Sequence, residues 1–311
     1  MKSKRETVDV IVAGGGTAGH VAAIQAARAG AKTSVIEAGS MLGGTMTAGG
    51  VYMPNHFFNT EGPVVKGIAW ELYTKSKAIE GLPVPDFRKR RPLDTPGYYS
   101  YINVPIYAAL AEKEALQAGV MIHYHEFVAE VKAVGNAWEI TSLGRGIRRV
   151  TRAKEIIDCS GDADVARMLG LGVQKGKTRQ PGAYQYKIEG IESEQVWQKE
   201  VQQIFDEAVA SGVLKEGDFA YARTRPFSYY LAHGGHNATH VYDADTSDAD
   251  GQTRANLDGR SRMLRMFQFL RTSVPGCERA VLKTMYNHAP VSYTHLTLPT
   301  TIKPWGGGGG G

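Results

Sequence analysis

Val8-Asp9-Val10-Ile11-Val12-Ala13-Gly14-Gly15-Gly16-Thr17-Ala18-Gly19 begins the unit on which the reading of this chain turns, and Ser34-Val35-Ile36-Glu37 ends it. Residues 8–12 are a short β-branched apolar run, the pattern of a strand buried on both faces. Gly14, Gly16 and Gly19 stand as G-x-G-x-x-G where that strand should turn into a helix. Gly14 permits the tight turn, Gly16 lets backbone approach a pyrophosphate, and Gly19 lets helix and strand pack closely. Ala22, Ala23, Ala26 and Ala27 keep the helix slim against a sheet, and Gly30 sits where a helix end favours a left-handed residue. A second strand over 33–36 leads to Glu37, eighteen residues beyond Gly19. Its carboxylate can accept hydrogen bonds from the hydroxyls of an adenosine ribose while a pyrophosphate faces the positive end of the helix. Taken alone, the three glycines would equally serve a plain turn in an α/β sheet; strand, helix and acid together point to a dinucleotide.

Bulk properties narrow the classes. The chain has 311 residues, 42% hydrophobic and 22% charged, enough for two domains and a sizeable core. No stretch of about eighteen apolar residues suggests a membrane span, and the first strand starts too early to leave room for a secretory signal, so the expected address is the cytoplasm. Cys159 and Cys277 lie far apart and form no C-x-x-C, which gives no support to a disulfide framework, a thiol redox pair or a zinc site, and no metal is expected. Formal net charge is +5. Arg88-Lys89-Arg90-Arg91 is the densest basic run and residues 145–152 a second. A nucleic-acid surface would interleave aromatics with such charges. Pro83, Pro85, Pro92 and Pro96 instead surround the first run, as in a solvated loop. No specific nucleic-acid partner is expected, although a positive field could attract an anionic substrate.

After Glu37, the stretch Gly43-Gly44-Thr45-Met46-Thr47-Ala48-Gly49-Gly50 can run its backbone along a flat ligand larger than a nicotinamide dinucleotide, with a surface loop as the plain alternative. Residues 67–77 have helical spacing, and 81–101 read as an excursion rich in Pro and Tyr. Asn103 can cap a helix that Gly119 stops. Strands are expected over 120–124, 127–134 and 138–142, with a turn at Gly135-Asn136, and over 152–159. The last runs into Ser160-Gly161-Asp162-Ala163-Asp164 and another helix. This second strand–glycine–helix corner should lie, like the first, at the carboxyl end of a parallel sheet, where ligands bind.

The texture changes after residue 171. A strand over 184–188, a polar-faced helix over 192–211 and an aromatic, Arg- and His-rich stretch over 221–241 suggest a separate substrate domain. Its acidic tract, 243–250, lacks two ligands that a calcium loop needs. It reads better as the negative start of a helix from about Gln252 to Leu270. The expected domains are 1–171, with the excursion at about 50–101, and 172–289. Residues 290–300 resemble a translated transposase adaptor and Gly306 to Gly311 is pure glycine, so 290–311 read as an artefact of sequencing, with the true C-terminal portion absent.

Three blocks in this order, Asp9 to Glu37, Gly43 to Val51 and Ile156 to Val165, resemble the FAD-dependent oxidoreductases of the glutathione-reductase-like superfamily, in its fumarate-reductase-like branch. A fourth, from Thr253 through Gly259-Arg260 to Gly276, resembles that group's substrate-domain helix. The resemblance implies an α/β fold: a Rossmann-like FAD-binding domain, with a parallel sheet, helices and a small antiparallel meander, plus an α+β substrate domain, incomplete at the C-terminus. It implies FAD with its pyrophosphate at Gly14, Gly16, Thr17, Ala18 and Gly19, and its ribose at Glu37. Gly43, Gly44 and Thr45 would approach pyrophosphate, ribityl chain or flavin; the Val128 backbone would meet adenine; and Ser160, Gly161 and Asp162 would close the adenosine end. The implied activity is hydride transfer between a small molecule and flavin, with a second electron donor or acceptor. A proton-moving or polarising group is sought among Arg223, Arg225, His233 and His236, with Arg225 and His236 preferred. Competing readings are a nicotinamide-dependent dehydrogenase, a flavin-containing RNA-modifying protein and a non-catalytic adenine-nucleotide module.

Overall fold

The computed structural model describes residues 1–54, 58–59, 62–84, 101–173, 181–192, 198–242, 245–286 and 301–302, with backbone alone at 58–59, 62–63, 198 and 301–302. Most of the excursion expected over 81–101, including the run Arg88 to Arg91, lies outside the described residues, as does nearly all of 290–311. Two compact units divide the chain: Met1–Ala48 with Tyr52–Lys175 and His295–Gly311, and Gly49–Val51 with Gly176–Thr294.

The first unit is built on a sheet ordered β5-β2-β1-β8-β7-β6. Its elements are β1 (Lys2–Ala13), α1 (Gly19–Arg28), β2 (Thr33–Glu37), a two-strand hairpin β3 (Phe58–Asn59) and β4 (Gly62–Pro63), and α2 (Ile68–Ile79). There follow α3 (Val104–Gln117), β5 (Met121–Tyr124), β6 (Glu126–Val134), β7 (Ala137–Gly144), β8 (Ile147–Asp158) and the short α4 (Asp164–Met168). β1 runs parallel to β2 and β8, and β2 parallel to β5, while β6, β7 and β8 form an antiparallel meander. Alternation along β1 sorts its side chains into two cores. Val12 joins Val35, Ala23, Ile24, Leu72, Tyr107 and Leu110 beneath the helices. Ile11 and Ala13 join Ile36, Val131, Trp138, Ile140 and Val165 beneath the meander and α4. Both faces of the strand's inner end are thus covered, which is why Val10 to Ala13 are all apolar.

β1 begins six residues before the apolar run that announces it, and β8 five residues before the strand expected at 152. Lys2 to Thr7 and Ile147 to Arg152 are too polar to show a strand pattern singly; Ile147 to Arg152 is held by the hairpin with β7, and Lys2 to Thr7 by parallel register beside it. The basic run over 145–152 is therefore largely sheet. Asn103 caps α3 by accepting from the Ile106 N–H at 3.2 Å, and the turn at Gly135-Asn136 joins β6 to β7 as its residues foretell.

Between meander and sheet lies a buried polar cluster that the pattern does not reveal. Arg149 donates from Nε and Nη2 to the two Glu126 oxygens at 3.1 and 2.8 Å, and Ser142 donates to Glu126 Oε2 at 2.7 Å. Glu6 lies 3.1 Å from His123 Nε2 and accepts from the Thr151 hydroxyl at 2.9 Å. Burial alone would raise both carboxyls, but the His123 and Thr151 bonds at Glu6, and the Arg149 and Ser142 bonds at Glu126, outweigh it, and both are held below the usual carboxylate range.

In the second unit, β9 (Gly182–Ala183) pairs antiparallel with β11 (His240–Val241), and β10 (Tyr186–Glu189) with β12 (Val281–Met285). Helices α5 (Gln198–Ala210), α6 (Phe227–Ala232) and α7 (Ala249–Ser273) enclose a core of aromatic rings. Phe227 stacks on Phe205 and Tyr230, with ring centroids 4.6 and 5.4 Å apart. The α7 helix starts at Asp248, whose side chain accepts from the Gly251 N–H at 2.7 Å, so within the described part of the acidic tract the helix-start reading holds. Back in the first unit, the two-residue strand β13 (Thr301–Ile302) pairs antiparallel with the end of β8.

Replacing Arg149 by Met should strand Glu126 without its partner and lower the stability of the first unit by about 3–5 kcal/mol, whereas Glu126→Leu with Arg149→Met should recover part of the loss. Both carboxyls are depressed on folding. Their stabilisation should be whole above the unfolded carboxylate value and drain away as pH falls through the lower folded value. Urea titrations between pH 7 and 3 read both effects.

Candidate functional site

The carboxyl ends of β1, β2 and β8 come together with three backbones in close contact. A Cβ on Gly14, whose φ is +98°, would stand 2.3 Å from the Cys159 carbonyl oxygen, and one on Gly19 would stand 1.8 Å from the Gly14 carbonyl oxygen. Neither position admits a side chain. Gly16 differs: a Cβ there would meet nothing within 4 Å. The first glycine closes strand on strand, the third closes helix on strand, and the middle one faces open space.

Hydrogen bonds fix the loop between them. The Gly14 N–H donates to the Ile36 carbonyl at 2.8 Å and the Gly43 N–H to the Gly15 carbonyl at 2.9 Å. Glu37 Oε2 accepts from the Gly15 N–H at 2.8 Å and Oε1 from the Gly39 N–H at 2.6 Å. The Gly16 carbonyl accepts from the His20 N–H. No described residue accepts from the N–H groups of Gly16, Thr17 or Ala18. The N-terminus of α1 has no side-chain cap and no acid in its first turn. Three free donors, the positive helix end and the open side of Gly16 make a seat suited to a diphosphate.

The second glycine block leans on the first. The Thr17 hydroxyl donates to the Gly43 carbonyl at 3.0 Å, and a Cβ on Gly44 would lie 2.7 Å from Gly16 Cα. Thr45 follows in a single 3-10 turn, Gly44–Met46. At the other corner, Asp158 Oδ1 accepts from the Ser160 N–H and hydroxyl at 3.1 and 2.7 Å, and Asp158 Oδ2 from the Ala166 N–H at 3.1 Å. Ala13 and Asp158 are register partners, so the corner carrying Ser160, Gly161 and Asp162 adjoins the corner carrying Gly14. Val128, half-buried on β6, packs against the core that includes Ile36.

His20 and Asp158 are the residues that motif reading passes over. His20 is fully buried, with Nδ1 at 2.8 Å from the Gly16 carbonyl oxygen and Nε2 at 3.2 Å from the Tyr107 hydroxyl. A polar residue in phase with Ala23, Ile24 and Ala27 on the buried stripe of α1 was its available signal.

The catalytic candidates of the second unit are distributed around α6. Arg223 is an exposed surface residue paired with Glu216 at 2.7 Å. Arg225 lies over the Tyr229 ring, 5.4 Å from its centroid. His233 stacks on the same ring, with centroids 4.0 Å apart and Nδ1 2.8 Å from the Tyr229 carbonyl oxygen. Burial, with Lys187 and His233 adding to it, brings His236 down to about 4, which leaves it neutral at pH 7.

The family model described as FAD dependent oxidoreductase matches residues 9–294. Among solved structures, the chain is similar to an anhydrotetracycline hydroxylase from Streptomyces rimosus, at 16% identity and TM-score 0.42, covering 59% of this chain and 38% of that one. It is also similar to a flavoprotein/dehydrogenase from Cytophaga hutchinsonii, at 18% identity and TM-score 0.42, covering 60% and 47%. A third is a p-nitrophenol 4-monooxygenase from Pseudomonas putida, at 15% identity and TM-score 0.37, covering 59% and 48%. The chain thus spans less than half the length of each. No curated protein matches it.

Gly16→Ala should leave unfolding within about 0.5 kcal/mol of the parent yet weaken dinucleotide binding, because its methyl enters only the open side. Gly19→Ala should destabilise the fold itself. Calorimetry and ligand titration on the same two samples separate these outcomes. Glu37→Gln should also weaken binding while the chain stays folded, at a cost of about 1 kcal/mol for one lost backbone bond. Unchanged affinity would take Glu37 out of the site.

Proposed function

The chain belongs to the FAD dependent oxidoreductase family, and from that premise we propose that it holds FAD across its two glycine corners and exchanges a hydride between the flavin and a small-molecule substrate, with a second redox partner completing the cycle. The observation that carries the proposal is the set of three amides, at Gly16, Thr17 and Ala18, from which no described residue accepts, beside a glycine whose Cβ position is open among the described residues.

In this reading Gly14 and Gly19 shape the turn, and Gly16, Thr17 and Ala18 bind the diphosphate through backbone N–H groups. Glu37 accepts from the adenosine ribose; each of its oxygens receives one backbone bond and keeps a second lone pair for a hydroxyl. Gly43, Gly44 and Thr45 carry the contact onward toward the ribityl chain and flavin. The Val128 backbone meets adenine, and Ser160, Gly161 and Asp162 bound the adenosine end. When bound, FAD supplies a two-electron carrier, and the protein supplies binding, orientation and charge. Arg225 and His236 are the groups we assign to substrate: a permanent cation to orient an anionic or carbonyl oxygen, and a neutral imidazole to accept a proton. The substrate and redox partner are of the small-molecule or carrier type rather than nucleic acid. A nicotinamide dinucleotide would use the first corner in the same way, but the second glycine block lying against Gly16 favours the longer ligand.

Purified protein should be yellow, should release FAD on heat denaturation at about one per chain, and should lose its visible absorbance when an anaerobic electron donor is added. Release of NAD or NADP in place of FAD would overturn the reading in favour of a nicotinamide dehydrogenase. FAD that no donor reduces would reduce the chain to a binding module.

A further inference from the structure

His20 stands directly behind the proposed diphosphate seat, and its chemistry there is fixed by its partners. The Gly16 carbonyl oxygen can only accept, so Nδ1, 2.8 Å away, carries the ring proton. Nε2 is then bare and accepts from the Tyr107 hydroxyl at 3.2 Å. Tyr107 belongs to α3 and meets the imidazole edge-on, with ring centroids 5.8 Å apart. The side chain is 0% exposed. Burial pushes its ionisation below that of an ordinary histidine, only partly offset by the Gly16 bond. The ring is therefore a neutral, oriented donor.

Its acceptor matters because of peptide geometry. In a planar trans peptide the C=O and the N–H of one unit point in opposite directions. The Gly16 carbonyl is drawn inward by two donors, the His20 N–H at 3.2 Å and the His20 ring. The Thr17 N–H of that same peptide unit is thereby directed away from His20, and no described residue accepts from it. Hydrogen bonding to the carbonyl also polarises the peptide and strengthens its N–H as a donor. The ordinary helical bond from the His20 N–H sets this direction loosely at 3.2 Å, and the shorter bond from the ring locks it.

We propose that His20 is a positioning residue for the cofactor diphosphate: through the Gly16 carbonyl it aims the Thr17 N–H, and Tyr107 holds the imidazole in the tautomer that does so. The inference rests on the FAD reading above, and it adds a buried side chain that never touches the ligand.

The test titrates FAD into the apo forms of the full chain and of three variants, following flavin fluorescence, the ³¹P resonances of the bound diphosphate and thermal unfolding. His20→Leu fills the volume but donates nothing, and should weaken FAD roughly tenfold to a hundredfold, the range for a hydrogen bond to a charged group, with displaced ³¹P resonances. His20→Asn retains a donor near the Nδ1 position, and should bring back both the affinity and the ³¹P positions. Tyr107→Phe should give an intermediate, few-fold loss. FAD binding by His20→Leu as tight as in the parent, or equal losses in the Leu and Asn variants tracking a fall in unfolding temperature, would overturn the positioning role and leave the FAD site standing. If His20→Leu does not fold, the Asn and Phe variants decide: unaltered ³¹P positions in Asn with a few-fold loss in Phe support the role, and parental affinity in Phe overturns it. A parent chain that takes up no FAD at all would instead overturn the functional reading itself.

Discussion

Three backbones meet without side chains between them at the end of β1, and the rest of the first unit depends on that contact. The Gly14 turn lies against the carbonyl of Cys159, just past the end of β8, and the start of α1 lies against the Gly14 carbonyl. One methyl at either place would collide with main chain, which cannot rotate aside as a flexible side chain can. Removing the methyls lets the helix begin immediately where the strand stops. The positive end of α1 is thereby fixed at the carboxyl edge of the sheet, next to Glu37 on β2 and Ser160 beyond β8. Close packing in the protein and access for a ligand come from the same sequence feature, used at adjacent positions for opposite purposes.

That arrangement needs a rigid sheet behind it, and β1 and β8 provide one by running parallel from Lys2 and Ile147 to the glycine corners. Their inner ends are held by apolar packing on both faces. Their outer ends are held by a different device, the Glu6, His123, Glu126 and Arg149 cluster beneath the meander. Arg149 satisfies Glu126 with two bonds and lies 3.6 Å from Glu6. A buried ion pair of this kind gives little net stability over an apolar pair, but its broken form is costly. It therefore penalises any slip in register between β6, β7 and β8 more than an apolar contact of similar size would, since a slip of one residue would point Arg149 to the opposite face.

The sequence made the architecture legible where one residue type has one physical reason to be present. Gly14 and Gly19 foretell close approach, the β-branched apolar run over residues 8–12 foretells a doubly covered strand, and Asn103 and Gly119 mark the ends of α3. Legibility failed where the reason lies in a partner distant along the chain. Lys2 to Thr7 becomes strand only because Ile147 to Arg152 lies beside it. Arg149 in a basic run looks like a solvated charge until β6 brings Glu126 against it. Of the candidate site, the glycines and Glu37 stand out by spacing, whereas Asp158 and His20 do not. Their work is to hold backbone through side-chain bonds, and no spacing rule records which carbonyl or amide a buried side chain will reach. For Arg225 and His236, an aromatic-rich stretch offers composition without geometry, and their assignment to substrate rests on chemistry alone.

The bonding of the glycine loop has a consequence for how a dinucleotide would bind. The Gly15 and Gly16 carbonyls are both turned toward protein donors, Gly43 N–H for the first and His20 for the second. The amides at Gly16, Thr17 and Ala18 have no such partner among the described residues. A loop of glycines is conformationally the freest kind of chain, and ordering it upon binding would subtract from affinity. Here Glu37, Gly43, Thr17 and His20 order it beforehand, so the donors face outward before any ligand arrives. In the proposed complex Glu37 would serve both sides of this arrangement, since the oxygens that accept from Gly15 and Gly39 each keep a lone pair for a ribose hydroxyl. A lysine or arginine salt bridge could hold an anion more strongly, but only by ordering a long side chain at the moment of binding. Backbone amides fixed by buried partners avoid that entropy loss, which is why the proposed diphosphate seat would need only glycine, threonine and alanine and no cation.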